Sequence, residues 1–263
     1  MNQHINRRDF LALTGAAGLS ATFFPALSYA DFVPGPETRL VPSYTGEELA
    51  AQSDFWELEL FFKPLRMIYV DVPGGASAAD RKKRLVWYLC YRAVNRPVDR
   101  PAPDPGAVPL ADKDPVERPP LFLPEFQLVT DDNNQQKSYI DRVIPRAQEV
   151  INLRERRENS RFVYKNSVEI IGNLPSVVPN DAKVKESDCL FGVAMWRSID
   201  PTTDKFKIYM TGFSSGYKEE KTPDGKTIVR RKTIVQEFWR PSDEFDQDET
   251  EIRPVGPPTW IYR

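Results

Sequence analysis

Proline limits what this chain can become more than any other residue does. There are 24 prolines in 263 residues, and with glycine they cut the apolar sequence into short runs. Proline inside a helix or a central strand removes a hydrogen bond and clashes with the backbone. Long uninterrupted elements are therefore excluded where prolines cluster. Short runs rich in β-branched and aromatic residues, separated by frequent breaks, read as a sandwich or barrel.

The runs give an element map. Trp56, Leu58, Leu60 and Phe62 alternate with Glu57, Glu59 and Phe61, which predicts a half-buried strand. On that reading Glu57 and Glu59 lie on a solvated face. Residues 65–72 give a second strand, and 84–94 a third with two apolar faces, which places it centrally. Further strands fall at 122–129, 167–171, 190–199, 205–213 and 227–239. Pro223, Asp224 and Gly225 mark a hairpin turn. Thr45 with Glu48 three residues on is a capping box and predicts a short helix over 45–53. Residues 138–157 have helical composition, with Pro145 resetting the first turn and Val143, Ala147, Val150 and Ile151 on one face. The segment 96–120 holds eight prolines, from Pro97 to Pro120, and reads as an extended strap or linker. The tail from Asp243 is acidic, then Pro-rich, and ends on Trp260, Ile261 and Tyr262. The fold expected is mainly β: an Ig-like β-sandwich over 31–263, with a helical insertion at 138–157 and a Pro-rich surface loop at 96–120.

The N-terminus is of another kind. Arg7 and Arg8 are followed by Asp9, Phe10 and Leu11, and no charge falls between Asp9 and Asp31. Ser28 and Ala30 are small residues at signal-peptidase spacing. Residues 1–30 resemble a bacterial twin-arginine (Tat) export leader. They depart from its pattern at Asn6 and Ala12. The resemblance implies cleavage after Ala30, passage through the Tat translocase in a folded state, and residence in the periplasm or outside the cell. The apolar middle is diluted by Thr14, Gly15, Gly18 and Ser20, which disfavours a retained membrane anchor. Within the remainder, 86–95, 192–196 and 209–217 are similar to exported bacterial proteins without an assigned activity, and that likeness carries no catalytic residue.

With the leader removed, 233 residues remain, with 34 basic and 37 acidic side chains. No segment is basic enough to neutralise a phosphate backbone, so nucleic acid is not an expected partner. The sole histidine, His4, leaves with the leader. That excludes His-dependent nucleophile triads and His-ligated metals in the mature chain. Cys90 and Cys189 are too few for a four-thiolate site. They can form one disulfide in an oxidising compartment, or remain buried thiols, since each sits in an apolar run. No cofactor or metal is expected.

Few residues suggest a site. Glu57 and Glu59 share a strand face at a separation near that of glycosidase carboxylate pairs. Ser215 and Lys218 match Ser-x-x-Lys but lack its companion motifs. Asp243, Asp246, Asp248 and Glu251, or Asp131, Asp132, Asn133 and Asn134, offer oxygens for calcium without EF-hand spacing. Trp196, Trp239 and Trp260 suggest a sugar-binding face, and Arg230, Arg231 and Lys232 an anion contact or a charged edge or bulge. The expectation is a non-enzymatic envelope module with a protein or glycan partner. The alternatives are a carboxylate-dependent hydrolase of envelope glycans and an accessory subunit of a Tat-exported complex.

Overall fold

Two antiparallel sheets are organised around two long strands. In this computed structural model the described residues are 37–73, 81–100, 120–132, 136–156, 160–241 and 251–263. The leader, residues 101–119 of the Pro-rich stretch, Asn133, Asn134, Asp243, Asp246 and Asp248 lie outside them.

The first sheet is built on β4 (Arg81–Asn95), with β1 (Thr38–Leu40), β2 (Leu58–Phe62), β3 (Arg66–Pro73) and β9 (Cys189–Arg197). β2 and β3 lie end to end along one edge of β4: Phe62 faces Tyr91 and Arg66 faces Tyr88. The residues between them hold one more position than the stretch they oppose, so this edge is a single strand bent by a bulge at Lys63–Leu65. Lys63 N–H still reaches the Cys90 carbonyl at 2.9 Å. β9 pairs along the other edge of β4, which makes β4 central, as its two apolar faces require.

The second sheet is built on β12 (Thr227–Trp239). Its other strands are β6 (Glu125–Thr130), β7 (Ser138–Ile140), β10 (Lys205–Thr211), β11 (Tyr217–Lys221) and β13 (Arg253–Tyr262). β10 and β11 also share one edge, that of β12, with Thr211 opposite Thr233 and Tyr217 opposite Arg231. The intervening residues 212–216 leave the sheet and bind the start of β2. Leu58 N–H donates to the Phe213 carbonyl at 2.8 Å, and Ser215 N–H to the Trp56 carbonyl at 3.0 Å. The excursion inserts Phe213, fully buried, among Tyr91, Phe122 and Phe126 at ring separations of 5.3–5.8 Å. Burying one such ring contributes ~1.5–3 kcal/mol. The two sheets share one hydrophobic cluster. Leu58, Leu60, Trp87, Leu89 and Trp196 come from the first, and Phe126, Leu128, Phe206, Ile208 and Ile234 from the second.

Gly212 opens the excursion at φ +89, and a Cβ there would sit 2.0 Å from the Leu123 carbonyl oxygen. Both the backbone conformation and the contact exclude a side chain. Gly212→Ala is expected to cost about 2 kcal/mol, read as a lower urea midpoint at unchanged slope; an unchanged midpoint would contradict this account of the turn.

Several elements differ from the sequence reading. The short helix, α1 (Gly46–Ala51), forms with its full capping box: Thr45 N–H donates to Glu48 Oε2 at 2.6 Å and Glu48 N–H to Thr45 Oγ1 at 3.2 Å. The helical insertion at 138–157 is shorter: 138–140 is β7, paired with β6, and α2 spans Pro145–Glu155. Proline disfavours helical backbone in the residue before it, so α2 starts at Pro145. Its buried face carries Ala147, Gln148, Ile151 and Glu155, with Ile144 buried just before it, while Val143 is exposed. The predicted strand at 167–171 is a turn. Asn166 Oδ1 accepts the N–H groups of Val168 and Glu169, each at 3.0 Å, a local bond that competes with strand pairing. Two short strands, β5 (Leu121–Phe122) and β8 (Gly172–Asn173), pair beside this turn. The Pro-rich tail forms β13, which pairs only with β12; an edge strand tolerates proline. The hairpin forms as expected, with Gly225 at φ +77.

Candidate functional site

The carboxylates singled out in the sequence are not on a wet face. Glu57 and Glu59 are fully buried: β1 pairs beside β2, and the side chains of Arg39, Arg96 and Lys232 with the Ser43 backbone close around the two carboxylates. Each is neutralised separately. Glu59 pairs with Arg39 at 2.5 Å and Arg96 at 2.7 Å. Glu57 Oε2 lies 2.8 Å from Lys232 Nζ, and Ser43 N–H donates to Glu57 Oε1 at 2.5 Å. Lys232 is equally buried and meets a second acid, Glu48, at 3.0 Å. Its ammonium also donates to the Ser43 carbonyl at 2.5 Å and lies over the Phe55 and Trp260 rings.

This node splits the two acids. Burial pushes the Glu57 carboxyl above its ordinary value, against the pull of Lys232 and Ser43 N–H. Burial opposes ionisation of Glu48 too, but hydrogen bonds from the Tyr262 hydroxyl, Thr45 N–H and Lys232 outweigh it and hold Glu48 at about 2. Burial and Glu48 raise the Tyr262 phenol. The cluster ties α1, β2, β12 and the C-terminal β13 together. Of the three cations Arg230, Arg231 and Lys232, only Lys232 is buried within the sheet. Arg230 lies beyond the last pairing of β12 with the C-terminal strand, at Arg231 and Arg263, and the excursion 212–216 of the neighbouring edge lies opposite Lys232, so the expected edge or bulge is met at Arg230 and beside Lys232.

The other candidates separate. Ser215 Oγ accepts Trp56 N–H at 2.9 Å, Lys218 Nζ lies 4.4 Å from the Tyr262 ring centroid, and neither is on a helix. Trp196 is in the core, Trp260 packs beside it, and Trp239 carries Arg253 over its ring, so the three share no face. Asp132 accepts the Asp204 and Lys205 N–H groups, and Glu251 pairs with Arg253. Among the described residues, no three His, Cys, Asp or Glu side chains gather as a metal site. Cys90 and Cys189 are both free. Their strands are neighbours, but Cys90 faces Val193 and Cys189 faces Val94. Four residues of offset is about 13 Å, beyond disulfide reach. Burial raises both thiols, Cys189 to about 11.

A cleft that the sequence reading missed has the opposite character. It has a volume of about 890 Å³ and is lined from both sheets: Lys83, Arg84 and Trp87 of β4, Arg197 of β9, Tyr139 of β7, Arg142 before α2, and Arg240 after β12. That volume suits a small-molecule or short-oligomer ligand. Five cations line it, with no carboxylate among the described lining residues. Arg240 is buried and held by the Pro201 and Thr203 carbonyls. Lys83, Arg84, Arg142 and Arg197 are exposed, and among the described residues their side chains have no hydrogen-bond or ion-pair partner. Uncompensated like charge in a concave site focuses a positive potential. The cations come from elements far apart in sequence, so no local motif announces them. The run from Arg81 to Arg84 was the legible trace, and runs of this kind usually mark a solvated face.

Compared with protein families, curated proteins and solved structures, the chain shows no significant match.

Proposed function

We propose that this chain is an exported, non-enzymatic binding module of the cell envelope. In this reading residues 1–30 are a twin-arginine leader cut after Ala30. The remainder is an Ig-like β-sandwich that passes the Tat translocase folded and works in the periplasm or outside the cell. Two antiparallel sheets with a common core support the sandwich. The cleft is the observation that carries the binding role. Glu48, Glu57, Glu59 and Glu155 are consumed by internal ion pairs, whereas Lys83, Arg84, Arg142 and Arg197 of the cleft have no such partner among the described residues and are left for an outside one. Ion pairing also speaks against Glu57 and Glu59 as the acid and base of a glycan hydrolase, which need one proton-bearing and one ionised carboxyl facing a substrate.

Two measurements test the reading. An Arg7→Lys, Arg8→Lys double variant is expected to remain uncut in the cytoplasm, while the parent yields a product beginning at Asp31. Equal processing of both would refute Tat export. Envelope glycans retained by the purified protein are expected to be recovered with unchanged mass. Shortened glycans would make the protein a hydrolase.

A further inference from the structure

We infer that the cleft takes a multiply charged anionic oligomer, a ligand carrying several carboxylate or phosphate groups; this rests on the binding-module reading. The argument is one of placement. Val86 of β4 faces Arg197 of β9, so Arg84 is a diagonal neighbour of Arg197 on the same face of the ladder. Arg142 N–H donates to the Met195 carbonyl at 2.8 Å, which puts Arg142 on the backbone just beyond β9. Three arginines thus come from three adjacent backbones, each about 4.8 Å from the next. Lys83 adds a fourth charge from β4.

Like charges placed this close on a ladder repel and cost stability. The chain has more acids than bases, 38 against 36, yet none of the described lining residues is an acid. A single small ion would engage one or two of these groups and leave the others uncompensated. A ligand with charges spaced over about 10 Å meets the whole row. Three of the four cations without a partner among the described residues are arginine, whose planar fork pairs two-to-two with carboxylate and phosphate. The half-buried Tyr139 of the second sheet lines the same cleft without adding a competing charge.

Calorimetric titration of the full chain with trigalacturonate, tripolyphosphate and neutral maltotriose tests this. Saturable binding of at least one anion is expected, weakened by raised salt. An Arg142→Gln, Arg197→Gln variant should bind that anion at least about tenfold more weakly, the usual size of losing a charge-assisted contact. Both side chains are exposed and have no partner among the described residues, so the variant should melt with the parent. The preferred probe distinguishes a carboxylate-bearing from a phosphate-bearing ligand. Failure of both anions to bind, or equal binding by the variant, would overturn the inference. Maltotriose bound in preference to either anion would also overturn it, while leaving a binding module. Cleavage of a probe would instead remove the module reading itself.

Discussion

Lys232→Met is expected to lower the melting temperature by about 6–20 °C. The ammonium stands between Glu57 at 2.8 Å and Glu48 at 3.0 Å, with all three side chains buried. Methionine matches the length but removes the charge, leaving two carboxylates facing each other away from water. Breaking a buried ion pair from one side costs ~3–5 kcal/mol, and a domain of this size loses ~2–4 °C per kcal/mol. The cost should fall mostly on Glu57, whose carboxyl burial already pushes upward. Adding Glu57→Gln to Lys232→Met should therefore recover part of the loss, because an amide accepts the Ser43 N–H without a charge.

The pH dependence carries the same logic with opposite signs. Glu48 is held at about 2, below its ordinary 4.5. Its contribution is complete above that ordinary value and is lost as pH falls toward 2. Glu57 is raised, so its contribution is complete below the ordinary value and is lost as pH rises through its folded-state value. Without Lys232, Glu57 rises further. The stability gap between Lys232→Met and the parent should thus narrow between pH 7 and 5, measured by thermal melts at each pH. A drop under about 2 °C at pH 7, or a gap that widens on acidification, would contradict the role given to the lysine.

The same residues explain what the sequence disclosed and what it concealed. Period-two alternation located β2 and β10, because one face of each meets the shared core, whereas β4 showed as a run apolar on both faces and β12 as the long return strand after the hairpin turn. Followed strictly through β12, alternation also places Lys232 inward: Lys232, Ile234, Gln236 and Phe238 are all buried. Three consecutive cations obscured that register. For β2, alternation sorted the faces correctly and mistook their surroundings. It presumes one wet face, whereas Arg39, Ser43, Arg96 and Lys232, from separate parts of the chain, close around Glu57 and Glu59. Whether a polar face is wet depends on what folds over it, and that is a long-range fact. The cleft is the extreme case, since its cations meet only after β4, β7, β9 and β12 are in place. The turn at Asn166 failed for a local reason, a side chain outbidding a neighbouring strand for backbone N–H groups.

Glu155→Ala is expected to cost about 3 kcal/mol, or about 6–12 °C, and to act by loosening α2 from the first sheet. Glu155 ends α2, where a negative charge opposes the helix dipole. It is kept there by what it holds. Its carboxylate accepts the Tyr88 hydroxyl at 2.7 Å, Arg66 Nη1 at 2.7 Å and Lys63 Nζ at 3.1 Å. Burial opposes its ionisation, but Tyr88 and Lys63 outweigh it and lower the carboxyl below its ordinary value. The cost should be at the lower end for a broken buried pair, because Arg66 is partly exposed and can turn to water. Tyr88 cannot, and its buried hydroxyl loses its acceptor. Cys90, on the same face of β4 as Tyr88, is buried and within electrostatic reach of Glu155, Lys63 and Arg66. A loosened α2 should therefore speed labelling of Cys90 by a thiol reagent while leaving the partly exposed Cys189 unchanged. Equal labelling of Cys90 in variant and parent would mean that α2 is held by its apolar face alone and that the Glu155 cluster is incidental to docking.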